Sequence, residues 1–110
     1  MAVVVKNSVS KNIGTTEQNI ISTTVSSKIT VIGLSLTNIL DTIVYVDVIV
    51  KDNTSNIESF YLKDTMVPTG TSLRAVSTGE KLVLDQNNTM KIKSSVANSI
   101  DVIASYAEIV

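Results

Sequence analysis

Residues 31–50 read VIGLSLTNILDTIVYVDVIV, a run long enough to cross a membrane as a helix, and the fold class turns on whether it does. Asn38, Asp41 and Asp47 interrupt it, and Val, Ile and Thr supply much of the rest, branched at Cβ and better suited to strands. The stretch reads as two strands and a turn, with no membrane segment. In KITVIGLSLTN (28–38), regular alternation places Thr30, Ile32, Leu34 and Leu36 on one face and Ile29, Val31, Gly33 and Ser35 on the other. In TIVYVDVIVKDN (42–53), Val44, Val46, Val48 and Val50 share a face opposite Ile43, Tyr45, Asp47 and Ile49. The all-valine face is expected in the core, the mixed face against a neighbour.

Working outward, further strands are expected near residues 2–9, 18–24, 57–63, 71–76, 81–84, 89–95 and 100–109, each bounded by turn residues. That spacing predicts an all-β chain folded as a single antiparallel β-sandwich, jelly-roll or Ig-like, of about eight strands. KDNTSNIES (51–59) and LDQNNTM (84–90) read as hairpin loops, the second through Asn87 and Asn88, which tolerate left-handed backbone. Pro68 and Gly70 in VPTGTSL (67–73) suit a tight turn. Residues 16–110 are the sandwich, and residues 1–15 an N-terminal arm or edge strand. The closing run SIDVIASYAEIV is a strand expected to be paired by its own sheet or by a neighbouring subunit.

A chain of 110 residues fits one domain. Nine basic and ten acidic residues leave a net charge of -1, and the cations are scattered, so no nucleic-acid partner is expected. A hydrophobic content of 44% and a mean hydropathy of +0.30 are high for so small a chain, and self-association would cover the surplus. AVVV (2–5) is too short for a signal-peptide core, so no secretion signal is expected.

Histidine, cysteine and tryptophan are absent, which removes Ser-His-Asp triads, Cys-His dyads and zinc sites. The carboxylates Asp41, Asp47, Asp52, Glu58, Asp64, Glu80, Asp85, Asp101 and Glu108 could in principle pair as in a glycosidase, but most sit beside turn-forming residues. DNTSN and DQNN carry oxygen ligands without the spacing of a calcium loop, and VPTGTSL lacks the lysine of a phosphate-binding loop. A sugar-stacking platform would need several of Tyr45, Phe60, Tyr61 and Tyr106 exposed together. No catalytic, metal or cofactor residue is expected.

The order VIGLSLTN, VYVDVIVKDN, FYLKDTMVPTGTSL, EKLVLDQNNTMKIKSS and IDVIASYAEI resembles small virion structural proteins of tailed bacteriophages, over residues 16–110. The chain departs from that pattern where Asn87 and Asn88 stand in place of Gly-Asp, losing an acidic residue. The resemblance implies a non-enzymatic component of the virion, assembled in the host cytoplasm. It would be a capsid decoration or cement protein contacting the major capsid or another virion protein, or else a neck, tail or fibre accessory protein. Such proteins commonly form homo-oligomers, often trimers. A carbohydrate-binding sandwich module is the alternative outside that class. The expected interface positions are Val3, Val4 and Val5 near the start and Ile103, Tyr106, Ile109 and Val110 in the last strand.

Overall fold

The computed structural model describes residues 2–77 and 79–110. They form nine strands: β1 (Val3–Ile13), β2 (Gln18–Ser22), β3 (Lys28–Asn38), β4 (Val44–Asp52), β5 (Ile57–Val67), β6 (Ser72–Val76), β7 (Leu82–Leu84), β8 (Asn88–Ser94) and β9 (Ile100–Ile109). Sheet A runs β1-β9-β3-β6 with β7 also on β3, and sheet B runs β2-β8-β4-β5. All pairings are antiparallel. The first strand pairs with the last, the second with the next to last, and the fourth with the fifth, so the chain is a long hairpin rolled on itself. That nesting is a jelly roll. β7 meets Ile29–Val31 and β6 meets Leu34–Thr37, so the two act as one interrupted strand along β3.

The core between the sheets is aliphatic. Leu34 and Leu36 of β3, Val44, Val46 and Val48 of β4, and Ile92 of β8 are all essentially inaccessible to solvent. Each such side chain contributes about 1.5–3 kcal/mol relative to leaving it in water. The accessible surface is 6091 Å², close to the roughly 5,900 Å² expected of a folded monomer of this mass. Asn38 is buried at the end of β3, where its Nδ2 donates to the carbonyls of Thr42 (2.7 Å) and Val67 (3.0 Å) and its Oδ1 accepts the Leu40 N–H (2.8 Å). An apolar substitute would leave those backbone groups unpaired.

Two expectations are corrected. In β3, Val31 pairs with Tyr106 and Gly33 with Ser105, so Ile32 is an extra residue, a β-bulge. One inserted residue reverses the alternation. Ile29 and Val31 before the bulge face the core together with Leu34 and Leu36 after it, and Ile32 is 43% exposed. LDQNNTM is not a hairpin: β7 lies in sheet A and β8 in sheet B, so the loop is a corner between sheets. The β2–β3 turn holds that corner. Thr23 Oγ1 donates to the Asp85 carbonyl (2.6 Å) and accepts the Asn88 N–H (2.8 Å), and Asn87 N–H donates to the Thr24 carbonyl (2.9 Å). Asn87 does take a positive φ of 60°. KDNTSNIES is a hairpin, closing with Asp52 opposite Ile57. Pro68 accepts the Thr71 N–H (3.2 Å) across a turn in which Gly70 has φ 64°.

Candidate interaction surface

Residues 1–15, expected as an arm or edge strand, are mostly β1, which lies along β9 from Val3 opposite Ile109 to Ser10 opposite Val102. Only Ile13 of β1 is buried. Antiparallel partners share a face, so Val3, Val5 and Val9 stand on the outer side of sheet A beside Ile109, Ala107 and Ile103. The same side continues across β3 through Lys28, Thr30, Gly33 and Ser35, and onto Val83 of β7. Val3, Val5 and Val9 are 64%, 72% and 68% exposed, and Ile103 is 51% exposed. Ile32, pushed out by the bulge, lines a shallow depression of about 290 Å³ with Gly33, Arg74, Ile103 and Ser105.

The expected interface residues therefore divide. Val3, Val5, Ile103 and Ile109 share the outer face of sheet A. Val4 and Tyr106 point the other way, Tyr106 packing against the core. Val110 is exposed and pairs with Ala2, each N–H donating to the other's carbonyl at 3.0 and 3.2 Å. Val9, Ile32 and Val83 are also exposed on this side and were not among the expected positions. For Val9 the signal was alternation with Val3 and Val5; for Ile32 it was the adjacent Gly33, since a glycine inside a strand often marks a bulge.

The outer face of sheet B is built differently. Asp47 on β4 lies opposite Lys93 on β8, with Nζ–Oδ2 at 3.8 Å, and its other carboxylate oxygen accepts the Asp64 N–H at 2.7 Å. Lys91 reaches Glu58 at 2.6 Å and Glu17 at 3.4 Å. Hydrogen bonding to Glu58 raises the Lys91 pKa above its usual value, and the same bond lowers that of Glu58. Ile49, with Lys91 and Phe60 as its cross-strand neighbours, is only 4% exposed, so the mixed face of β4 is covered at Ile49 and Asp47 and open at Ile43 and Tyr45. The Lys63 ammonium sits 4.5 Å from the Phe60 ring centroid, a cation–π contact.

The carboxylates considered for chemistry are dispersed. Asp52 accepts from Thr54 N–H and Ser55 Oγ within its turn, Asp85 from Gln86 N–H, and Asp101 from Asn12 N–H. Glu108 pairs with Lys6 at 2.8 Å, a bond that raises the Lys6 pKa. Among the described residues, no three acidic side chains gather as a metal site would need. DNTSN and DQNN hydrogen-bond to each other, Asn53 N–H to the Asn87 carbonyl (2.9 Å) and Asn87 Nδ2 to Thr54 Oγ1 (3.1 Å). The aromatic rings are split as well. Tyr45 and Phe60 are exposed on sheet B, four residues of β4 apart in register, whereas the Tyr61 hydroxyl donates to the Ala75 carbonyl and Tyr106 faces inward.

No protein-family model matches the chain, and no curated protein matches its sequence. Solved structures match its fold. A protein of the Bacillus endospore appendages, described as a family of disulfide-linked pili, has a TM-score of 0.58 at 13% identity, over 96% of this chain and 86% of that one. The infectious bursal virus T=1 particle protein has a TM-score of 0.59 at 14% identity, over 97% of this chain. VP2 in the subviral particle of infectious bursal disease virus has a TM-score of 0.58 at 14% identity, again over 97%. The chain spans 31% and 32% of those two viral chains. What is shared is the β-sandwich.

Proposed function

We propose that this protein is a non-enzymatic structural subunit of a phage virion, a capsid decoration protein that docks on the assembled shell through the outer face of sheet A. The observation that carries the reading is the exposed apolar surface of Val3, Val5, Val9, Ile103 and Ile109, held on a rigid sheet. Strands of about ten residues at about 3.3 Å each, in four rows about 4.8 Å apart, give a face of roughly 630 Å² in projection. A specific contact buries about 800 Å² of accessible surface per partner, so this one face supplies most of such a contact. Its apolar rows reward dehydration, and the small side chains of Gly33, Ser35 and Ser105 leave a shallow relief for a partner's side chains. The dispersed carboxylates and absent histidine and cysteine support a role without catalysis.

A second reading is a subunit of a surface appendage. It is favoured by the likeness to the endospore appendage protein, which extends over 86% of that chain. With no cysteine, this chain would have to assemble without disulfides. Quantitative mass spectrometry of gradient-banded virions, paired with electron microscopy of the purified protein alone, separates the readings. Decoration predicts copy numbers comparable to the capsid protein and no filaments from the isolated subunit. A few copies per virion would place it at the neck, tail or fibre. Absence from virions together with filaments would establish the appendage reading.

A further inference from the structure

We propose that the free edge of β1 pairs antiparallel with β1 of a second copy, joining two sandwiches through a continuous sheet. The proposal concerns the rim of sheet A, independently of what its outer face meets. Ala2 and Val110 exchange both backbone hydrogen bonds, and the register runs unbroken from there to Ser10 opposite Val102. Bonded and non-bonded pairs alternate in an antiparallel ladder. Val4, Lys6, Ser8 and Ser10 therefore bond to β9, while Val3, Val5, Asn7 and Val9 aim their N–H and C=O groups away from it, beyond the last strand of the sheet.

Natural edges are blunted by proline, inward charges, bulges or short length. β1 is 11 residues long, has no proline, and carries its bulge at the far end, between Ser10 and Ile13. Lys6 is the only charged residue from Val3 to Val9, and it is engaged by Glu108 at 2.8 Å.

Charge selects the occupant's register. Pairing centred on Lys6 would set two ammonium groups directly opposite each other, which is unfavourable. Pairing centred on Asn7 sets Lys6 against Ser8 of the second copy, Val5 against Val9, and Asn7 against Asn7. The outward groups of Val5, Asn7 and Val9 are then satisfied in both copies, valine meets valine on the outer face, and the two Asn7 amides can hydrogen-bond to each other. A strand paired antiparallel with itself has two-fold symmetry, so the contact closes as a dimer.

The test combines sedimentation with amide hydrogen exchange on the full chain. The wild type is expected to be a dimer at about 100 µM that dissociates on dilution, consistent with a contact of micromolar strength. Amide exchange at Val5, Asn7 and Val9 should be at least about tenfold slower in the concentrated sample. Asn7→Pro removes only an outward donor and should give a monomer with the wild-type monomer's thermal midpoint. Ser8→Pro breaks the β9 ladder instead and should lower that midpoint. A monomer at all concentrations, a trimer, a dimer that survives Asn7→Pro, or unprotected amides at those three positions overturns the proposal. Ile103→Glu on the outer face should leave the dimer intact, which separates failure here from failure of the decoration reading.

Discussion

The two outward faces of the sandwich are made by the same alternation of residues, yet they finish differently. On sheet B, side chains of opposite charge meet across strands and cover the apolar residue between them: Lys91 with Glu58 and Glu17, Asp47 with Lys93, and Ile49 beneath. On sheet A, Val3, Val5, Val9 and Ile103 stand exposed near small residues such as Ala107, Ser105 and Ser35, with Lys28 at one end opposite Ile109. A face that carries its own counter-ions gains little from a partner, because exposed ion pairs are already solvated and weak. A face of exposed valines gains by being dehydrated. The difference teaches that exposure alone does not distinguish the two faces; what distinguishes sheet A is apolar exposure without ion pairs across it, and the proposed docking rests on that.

The comparison breaks most sharply if charge is placed on sheet A. On the decoration reading proposed above, Ile103→Glu and Val5→Glu should each reduce virion incorporation by more than tenfold, since a buried interface anchor is worth at least about 2 kcal/mol. Both residues are half or more exposed in the free protein, so its thermal midpoint should move by no more than a few degrees. Quantitation of copies per particle beside calorimetry checks both halves. Removing residues 1–10 should also abolish incorporation while leaving a folded domain, because no buried side chain of β1 lies before Ile13. Circular dichroism of the truncated chain decides the second point, and a collapse of structure would make β1 integral to the core.

On sheet B the effects should fall on stability. Asp47→Ala leaves the Asp64 N–H without its 2.7 Å partner and should cost about 1–3 kcal/mol in a denaturant titration, with incorporation unchanged. Lys91→Met should cost less than about 1 kcal/mol, again without effect on incorporation. The smallest effect is on pH dependence. Glu58 has a lowered pKa when folded, so its contribution is present above the unfolded value near 4.5 and is lost as pH falls through the folded one. Lys91 has a raised pKa, so its contribution is present below 10.5 and is lost as pH rises through the folded value. Glu58→Gln should therefore show a slightly shallower loss of stability on acidification than the wild type, measured by thermal melts at pH 7 and pH 3. A steeper loss would show that the ion pair is not formed.

Much of the fold was legible locally. The all-valine stripe of β4 announced its inward face because Val44, Val46 and Val48 keep strict alternation up to the bulges near Asp47 and Ile49. The hairpin at KDNTSNIES was legible because Asp52 caps its own turn and Asn56 takes a positive φ. β3 was misread because Gly33, the residue in KITVIGLSLTN that hints at a bulge, does not say that its neighbour Ile32 is the one without an opposite number on β9. LDQNNTM was misread because a hairpin and a corner between sheets use the same turn residues. Their difference lies in Thr23, more than sixty residues away in sequence. Of the surface, Val3, Val5, Ile103 and Ile109 were visible as apolar strand residues, but their convergence was not.

By itself, the sequence determined that the chain is an all-β sandwich without histidine, cysteine or tryptophan. Alternation, turn chemistry and composition are local properties, each readable within a window of about ten residues. Only the tertiary structure decided the jelly-roll nesting, the reversal of β3 at Ile32, and the adjacency of β1 to β9 that assembles one apolar face from the two ends of the chain. Those features depend on which strand lies beside which and in what register, and register is set by packing the buried face as a whole.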